Sequence, residues 1–189
     1  MEKVNQAEAY DVEVVPIVGL QPGDKYWRVA KVYHVSDDKN DMQFHAFVNV
    51  FDENGGELRG NRDIKIVWGW ENQKPSEPSP AVYLEKQRPE NMTNIPLFFG
   101  LHVWVSVASS SNYPSEVVKN LHTAHADEGD GNRFGHHSFI IDFELAIWKG
   151  SADNNVGTPP VVDGNGPFAV LKAELVAIVN RLNKIVEGL

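Results

Sequence analysis

The chain has 189 residues, with 17 Lys+Arg against 26 Asp+Glu and no cysteine. This length fits one medium-sized domain with an appendage. A net charge of -9 without a basic run excludes the electrostatic footprint of a nucleic-acid binder or of a protein held on an anionic membrane. The lack of cysteine excludes disulfide frameworks and thiolate chemistry, but it leaves the cellular compartment open.

The amino terminus carries no apolar run of signal-peptide length. A transmembrane helix needs about 18 consecutive apolar residues, and the sequence contains no such stretch. We therefore expect a soluble chain that has neither nucleic acid nor membrane as a partner.

Residues 10–148 follow a period of two, with β-branched and aromatic residues at the apolar positions, which is typical of strands with one buried face. No helical period lies between these strands to build parallel crossovers. The sequence therefore predicts a mainly β protein, an antiparallel β-sandwich of the immunoglobulin-like or jelly-roll kind. The predicted strands cover residues 10–18, 26–35, 42–51, 64–70, 81–84, 95–99, 102–107 and 138–148.

Two regions interrupt this pattern. Residues 72–96 hold five prolines, which favours an ordered connecting loop across one edge of the sandwich. Residues 150–166 are rich in glycine and proline and are predicted to be a linker. The domain prediction is a β-sandwich module over 1–149, the linker over 150–166, and a C-terminal α-helix over 167–189.

The period changes after the linker to the alternating 3 and 4 spacing of a heptad seam. Leucine at the a positions with isoleucine at two of the d positions favours trimers or tetramers, so the helix is predicted to form a homo-oligomer. The alternative is that the helix folds back on its own sandwich, since Val179 and Val186 widen its apolar face. The predicted seam contains Phe168, Leu171, Leu175, Ile178, Leu182, Ile185 and Leu189.

Four of the seven histidines fall within sixteen positions, just before the last predicted strand. The candidate ligand-binding residues of this cluster are His122, His125, Glu128, His136 and His137. Imidazoles with a carboxylate suit zinc or a similar ion, but the spacing matches no known zinc pattern. The neighbouring acidic residues do not match an EF-hand loop either. The alternative is that these side chains satisfy loop backbone groups and one another, and we expect no cofactor.

Trp68 and Trp70 are two residues apart and share one face of a predicted strand. If that face is open to solvent, the indole rings are a platform for sugar rings, with nearby polar side chains bonding the hydroxyls. If it is the inner face, they belong to the core. The chain has no G-x-S-x-G elbow and no indicated carboxylate pair, so we expect no catalytic activity.

Several strings resemble, in order along residues 26–145, a β-rich accessory module found beside lysozyme-like and amidase-like cell-wall hydrolases of bacteria and phages. The most specific are the H-T-x-H-x-D-E string at 122–128 and the H-H-S-F string at 136–139. The others include Tyr26-Trp27-Arg28-Val29, the run from Phe47 to Gly55, and Trp68-Gly69-Trp70. The resemblance implies a glycan- or surface-associating domain that is not itself catalytic. This chain departs from that arrangement because no hydrolase domain accompanies the module and a linker with a heptad helix follows it.

The sequence thus leads to a non-catalytic, self-associating β-sandwich module that presents several copies of a weak binding surface to a cell-wall glycan or a particle surface. A virion or an extracellular surface is the favoured location. The alternative is a purely structural assembly protein, such as a phage capsid decoration or fibre subunit. A third hypothesis is a metal-dependent hydrolase that uses His122, His125 and His136.

Overall fold

The fold is that of a computed structural model, which describes residues 4–35, 39, 43–123 and 137–150. After a short 3-10 helix at Glu8–Tyr10, all its named elements are strands. In chain order they are β1 (Glu13–Val15), β2 (Lys25–His34), β3 (His45–Phe51), β4 (Ile64–Trp70), β5 (Ala81–Tyr83), β6 (Thr93–Pro96), β7 (Val103–Ser109), β8 (Val117–Leu121) and β9 (Phe139–Ile147). In this part of the chain no helix is long and apolar enough to cross a membrane.

The strands form two sheets, so the protein is mainly β, consistent with the predicted sandwich. Sheet A has four strands in the order β2-β9-β3-β6, and sheet B has five in the order β1-β8-β7-β4-β5. Every pairing in sheet B is antiparallel. In sheet A, β3 and β9 run parallel, so the prediction of a wholly antiparallel fold is wrong at this pair. These two strands are far apart in sequence, and the long intervening chain supplies the crossover that a parallel pair requires.

One apolar core joins the two sheets, because alternate residues of each strand point inward. On β9, Phe139, Ile141 and Phe143 are completely buried, while the residues between them are partly exposed. The pairing of β2 shifts register between Val29 and Lys31, and this shift keeps the apolar residues on both sides of it in the core. An extra residue changes the parity of the strand, and it therefore allows Val29 and Val32 to face the same core.

The open edge of β2 is covered by two other segments. The backbone of Val32 bonds to Val4 and Gln6 of the amino-terminal segment, and Trp27 bonds to Pro114 and Glu116. The Glu116 carboxylate also accepts a hydrogen bond from the Val29 N–H at 2.8 Å. Burial raises the pKa of Glu116, and the hydrogen bond offsets part of this effect. Covering the edge in this way removes a template for pairing with other chains.

The predicted strands are found with shifted ends, but β8 was missed. Its sequence, Val117-Val118-Lys119-Asn120-Leu121, has only two adjacent apolar residues before the pattern breaks. Asn120 adopts a positive φ of 60°, and the pairing of β7 with β8 shifts register between Val103 and Val105. This irregularity restores Leu121 to the core, where it is fully buried.

The body described above belongs to a compact unit that ends at Gly150. The predicted linker and C-terminal helix lie outside the described residues, apart from Gly150 itself. The same holds for the seam residues proposed for oligomerisation, which are Leu171, Leu175, Ile178, Leu182, Ile185 and Leu189.

Candidate functional site

The five described histidines all lie at strand ends on one side of the two-sheet body. His34 ends β2, His45 begins β3, His102 precedes β7, His122 follows β8, and His137 precedes β9. Because β2 runs antiparallel to β9 and β3 runs parallel to it, the last residues of β2 and the first residues of β3 and β9 meet at this end. A hydrogen bond of 3.4 Å from the His137 N–H to the Thr123 carbonyl joins the two sheets here. We call this region the histidine end.

At its centre, the rings of His34 and His137 are in direct contact. Nε2 of His34 lies 2.6 Å from Nδ1 of His137, so one nitrogen donates a hydrogen bond to the other. Tyr10 stacks on His34 with ring centroids 3.9 Å apart and planes 17° apart. His137 is 4% exposed, and the pair closes this end of the core.

A second pair of rings lies on the sheet B side. His122 and His102 are stacked with centroids 5.0 Å apart, and Nδ1 of His122 bonds to the Asn120 carbonyl at 2.6 Å. The neighbouring Thr123 is 3% exposed, and its hydroxyl has no hydrogen-bond partner among the described residues. Most of the buried polar residues in the described part of the chain lie in this region, namely His122, Thr123, His137 and Ser138. Buried polar groups are costly to keep, so their concentration here marks a specialised region.

An open cleft with a volume of about 440 Å³ adjoins this pair. Its lining residues are Glu8, Asp11, Val12, Glu13, His102 and Asn120. Three carboxylates make the cleft acidic.

The structure brings two predicted ligand residues, His122 and His137, to the same end as the last residue of β4, Trp70. Within the described ranges, no group of three or more His, Asp or Glu residues is arranged to hold a metal ion. His125, Glu128 and His136 lie outside the described residues. Metal binding by the full predicted set therefore stays a prediction.

Trp68 and Trp70 lie on the inward face of β4 with Ile64 and Ile66. Trp68 packs against the core, and its ring centroid is 6.1 Å from that of Trp70. Trp104 of β7 is in register with Gly69 on the opposite face of the sheet. Of the described tryptophans on β4 and β7, Trp104 is thus the one on the outer face.

A different aromatic surface occurs on the outer side of sheet A. The register aligns three rows of side chains across β2, β9 and β3. These rows are Tyr33-Ile140-Phe47, Lys31-Asp142-Asn49 and Arg28-Glu144-Phe51. The first two rows face outward, whereas Phe51, at the end of the third, packs against the core. We call the first two rows, together with Phe44 and His45, the binding face. Its aromatic row lies directly beside its polar row, at the spacing of alternate strand residues.

The polar row is held in place by a hydrogen-bond network around Asn49. Nδ2 of Asn49 donates to Oδ1 of Asp142 at 2.8 Å and to Oδ1 of Asn91 at 2.9 Å. Oδ1 of Asn49 accepts from the Met92 N–H at 3.1 Å. Burial raises the pKa of Asp142, partly offset by the Asn49 hydrogen bond and by Lys31. A carboxyl kept in such an unfavourable setting is typical of functional sites.

His45 lies at the edge of the binding face. Burial, and to a smaller degree Lys86, lower its pKa. Its Nδ1 is buried and has no hydrogen-bond partner among the described residues, which also disfavours a second proton there. The ring is therefore neutral near pH 7 and behaves as an aromatic surface.

Sequence reasoning missed the binding face. The signal was present in β9, where Ile140, Asp142 and Glu144 alternate with the apolar set, and in β3, where Phe47 alternates with Ala46 and Val48. What the sequence did not contain was the pairing of β9 with both β2 and β3, which makes these residues one surface.

The chain matches no known family model, and no curated protein or solved structure shows significant similarity to it. The resemblance to modules beside cell-wall hydrolases therefore stays an expectation from the sequence.

Proposed function

We propose that this protein is a non-catalytic binding module whose binding face, on the outer side of sheet A, takes a carbohydrate. The observation that carries this proposal is the row of Lys31, Asp142 and Asn49 beside the rings of Tyr33 and Phe47. Sugars present C–H faces that stack on aromatic rings and hydroxyls that need both donors and acceptors. The face supplies both kinds of contact at adjacent positions.

The fixed geometry of the polar row supports this proposal. Asn49 already has its amide nitrogen and oxygen engaged, so it holds the Asp142 carboxylate and the Asn91 amide in defined positions. Polar groups that are positioned before binding lose little conformational entropy when the ligand arrives. Lys31 is held similarly, with its ammonium nitrogen 4.9 Å from the centroid of the Tyr33 ring.

We further propose that the C-terminal heptad helix multiplies this weak site by self-association into a trimer or tetramer, which raises avidity without new contacts. The module would then act as an accessory protein on a cell-wall glycan or a particle surface. Light scattering on the full chain tests the assembly. A trimer or tetramer is expected, and a monomer would contradict the multivalent part of the proposal.

The carbohydrate part is tested by pull-down with insoluble peptidoglycan, chitin and cellulose, followed by titration calorimetry with a soluble polysaccharide. Phe47→Ala should abolish retention while leaving the urea midpoint close to that of the wild type. Tyr83→Ala is the matched control, because Tyr83 is an exposed aromatic residue, 46% accessible, on β5 of sheet B. Equal retention of the Phe47→Ala and Tyr83→Ala proteins would refute the assignment of the face.

A structural assembly role is the second candidate, and one observation favours it. Phe98 and Phe99 are 48% and 69% exposed in the connection between β6 and β7. Adjacent exposed aromatic residues commonly mark protein–protein contacts. If Phe99→Ser prevents assembly in solution and no variant affects glycan retention, the structural role replaces the carbohydrate-binding one.

A further inference from the structure

A line of rings runs along the start of β3 on the binding face. The ring centroids of Phe44 and His45 are 5.4 Å apart with planes 12° apart, and those of His45 and Phe47 are 5.6 Å apart. Phe44 is 41% exposed. From Phe44 to Asn49 the strand direction covers about 16 Å, which is roughly the length of three linked pyranose rings. The line is therefore too long for a single sugar.

The charges on and beside this face cancel. Arg28 forms an ion pair with Glu144, and Lys31 lies opposite Asp142 in the strand register. Near His45, the Lys86 ammonium is 2.6 Å from the Glu90 carboxylate. A locally neutral surface on a chain of net charge -9 complements an uncharged ligand, because an ionic polymer would find no unpaired partner among the described residues of this face.

Uncharged amides flank the line on its β6 side. Asn94 is in register with Phe47, and Asn91 bonds to Asn49. Each amide offers both donors and acceptors, as sugar hydroxyls do. The side of the line toward β9 carries Ile140 and Asp142.

We infer that the ligand of the binding face is an internal stretch of a neutral, linear glycan, about three sugars long, that lies along β3. This inference rests on the proposed carbohydrate-binding function and specifies its ligand class and direction. Phe47 contacts the central sugar, Phe44 with His45 contact the sugar at one end, and Asp142, which Asn49 holds in place, bonds the sugar at the other end.

The test is titration calorimetry of the full chain with cello-oligosaccharides and chito-oligosaccharides of one to six sugars. Affinity for one of these neutral series should rise by about tenfold or more from the monosaccharide to the trisaccharide, and then reach a plateau. Equal affinity for all lengths would overturn the extended ligand while leaving the carbohydrate-binding function standing. No binding of either series, together with no retention on any polysaccharide, would overturn both.

Phe44→Ala tests the direction along β3. It should weaken binding of the trisaccharide and longer oligomers but leave the disaccharide unchanged, whereas Phe47→Ala should weaken all lengths. Tyr83→Ala again serves as the control. If Phe44→Ala has no effect on any length, the ligand does not run along β3, and the inference fails even where Phe47→Ala abolishes binding.

Neutrality is tested with oligogalacturonates of the same lengths at low ionic strength. These anionic chains should bind at least about tenfold more weakly than the neutral series. Binding that is equally tight or tighter would contradict the neutral ligand class.

Discussion

Strands β3 and β4 both carry aromatic side chains at alternate positions, yet they place them on opposite sides of their sheets. On β4, Trp68 and Trp70 point inward with Ile64 and Ile66. On β3, Phe47 points outward, and Ala46 and Val48 are buried. The difference follows from what the other face of each strand offers, because one of the two alternating sets must fill the core.

In β4 the competing set is Lys65, Val67 and Gly69, which contains a charge and a residue without a side chain. The alternating set that contains Trp68 and Trp70 therefore buries more apolar surface, and this set faces the core. In β3 the competing set is Ala46, Val48 and Val50, which are all completely buried. The opposite set of β3 contains the polar residues His45 and Asn49, so the wholly apolar set fills the core and the ring of Phe47 is left on the outer side.

The largest expected effect that tests this comparison is on stability. Trp68→Ala should lower the free energy of unfolding by about 3 kcal/mol or more, because it removes a large side chain that packs against the core. Phe47→Ala should cost less than about 1 kcal/mol, since it removes a partly exposed ring. Urea denaturation followed by circular dichroism measures both values. Similar losses in the two variants would contradict the assignment of the two faces.

The second prediction concerns the outer side of β4, where the side chains of Gln73 and Trp104 lie against Gly69. A Cβ at Gly69 would overlap Oε1 of Gln73 and would lie 2.6 Å from Cζ2 of Trp104. Gly69→Ala should therefore destabilise the protein by about 1 to 3 kcal/mol and shift the tryptophan fluorescence as the Trp104 ring moves. Val67→Ala, on the same outer side, is the control and should leave the fluorescence unchanged. An unperturbed spectrum in Gly69→Ala would show that Trp104 does not cover this strand.

The smallest expected effect is the pH dependence contributed by the binding face. The pKa of Asp142 is raised in the folded protein, so its contribution to stability is complete below the unfolded value of about 4 and is lost as the pH rises through the folded value. Asp142→Asn replaces the carboxyl group with an amide that does not ionise, so this loss of stability at higher pH does not occur. The variant should gain stability relative to the wild type between pH 4 and neutrality, as measured by urea midpoints. A difference between the two proteins that stays constant with pH would show that burial does not penalise this carboxylate.

Much of the fold could be predicted from local pattern. The period of two located most of the strands, and it correctly indicated a mainly β chain. The pattern failed at β8, where Asn120 with its positive φ interrupts the apolar alternation. It also failed at the parallel pair of β3 and β9, because the direction of a pairing depends on how the chain connects the strands rather than on the strands themselves.

The residues of the candidate site could likewise be predicted from the sequence only in part. The sequence indicated His122 and His137 as unusual residues, since histidines are concentrated around them. It did not indicate that His34, more than a hundred residues away along the chain, lies 2.6 Å from His137. Nor did it indicate that Asn49 and Asp142 form one network, because hydrogen bonds between side chains of distant strands have no local signature.

The sequence by itself determined that this protein is mainly β, acidic and free of cysteine, and it located most of the strands, because period and composition act locally. The tertiary structure decided which of two alternating sets faces the core and which strands become neighbours. Those choices depend on the total apolar surface that two sheets bury against each other, which is a property of the whole fold. For that reason Trp68 and Trp70 lie on the inner side of sheet B, and the rings of the binding face lie on the outer side of sheet A.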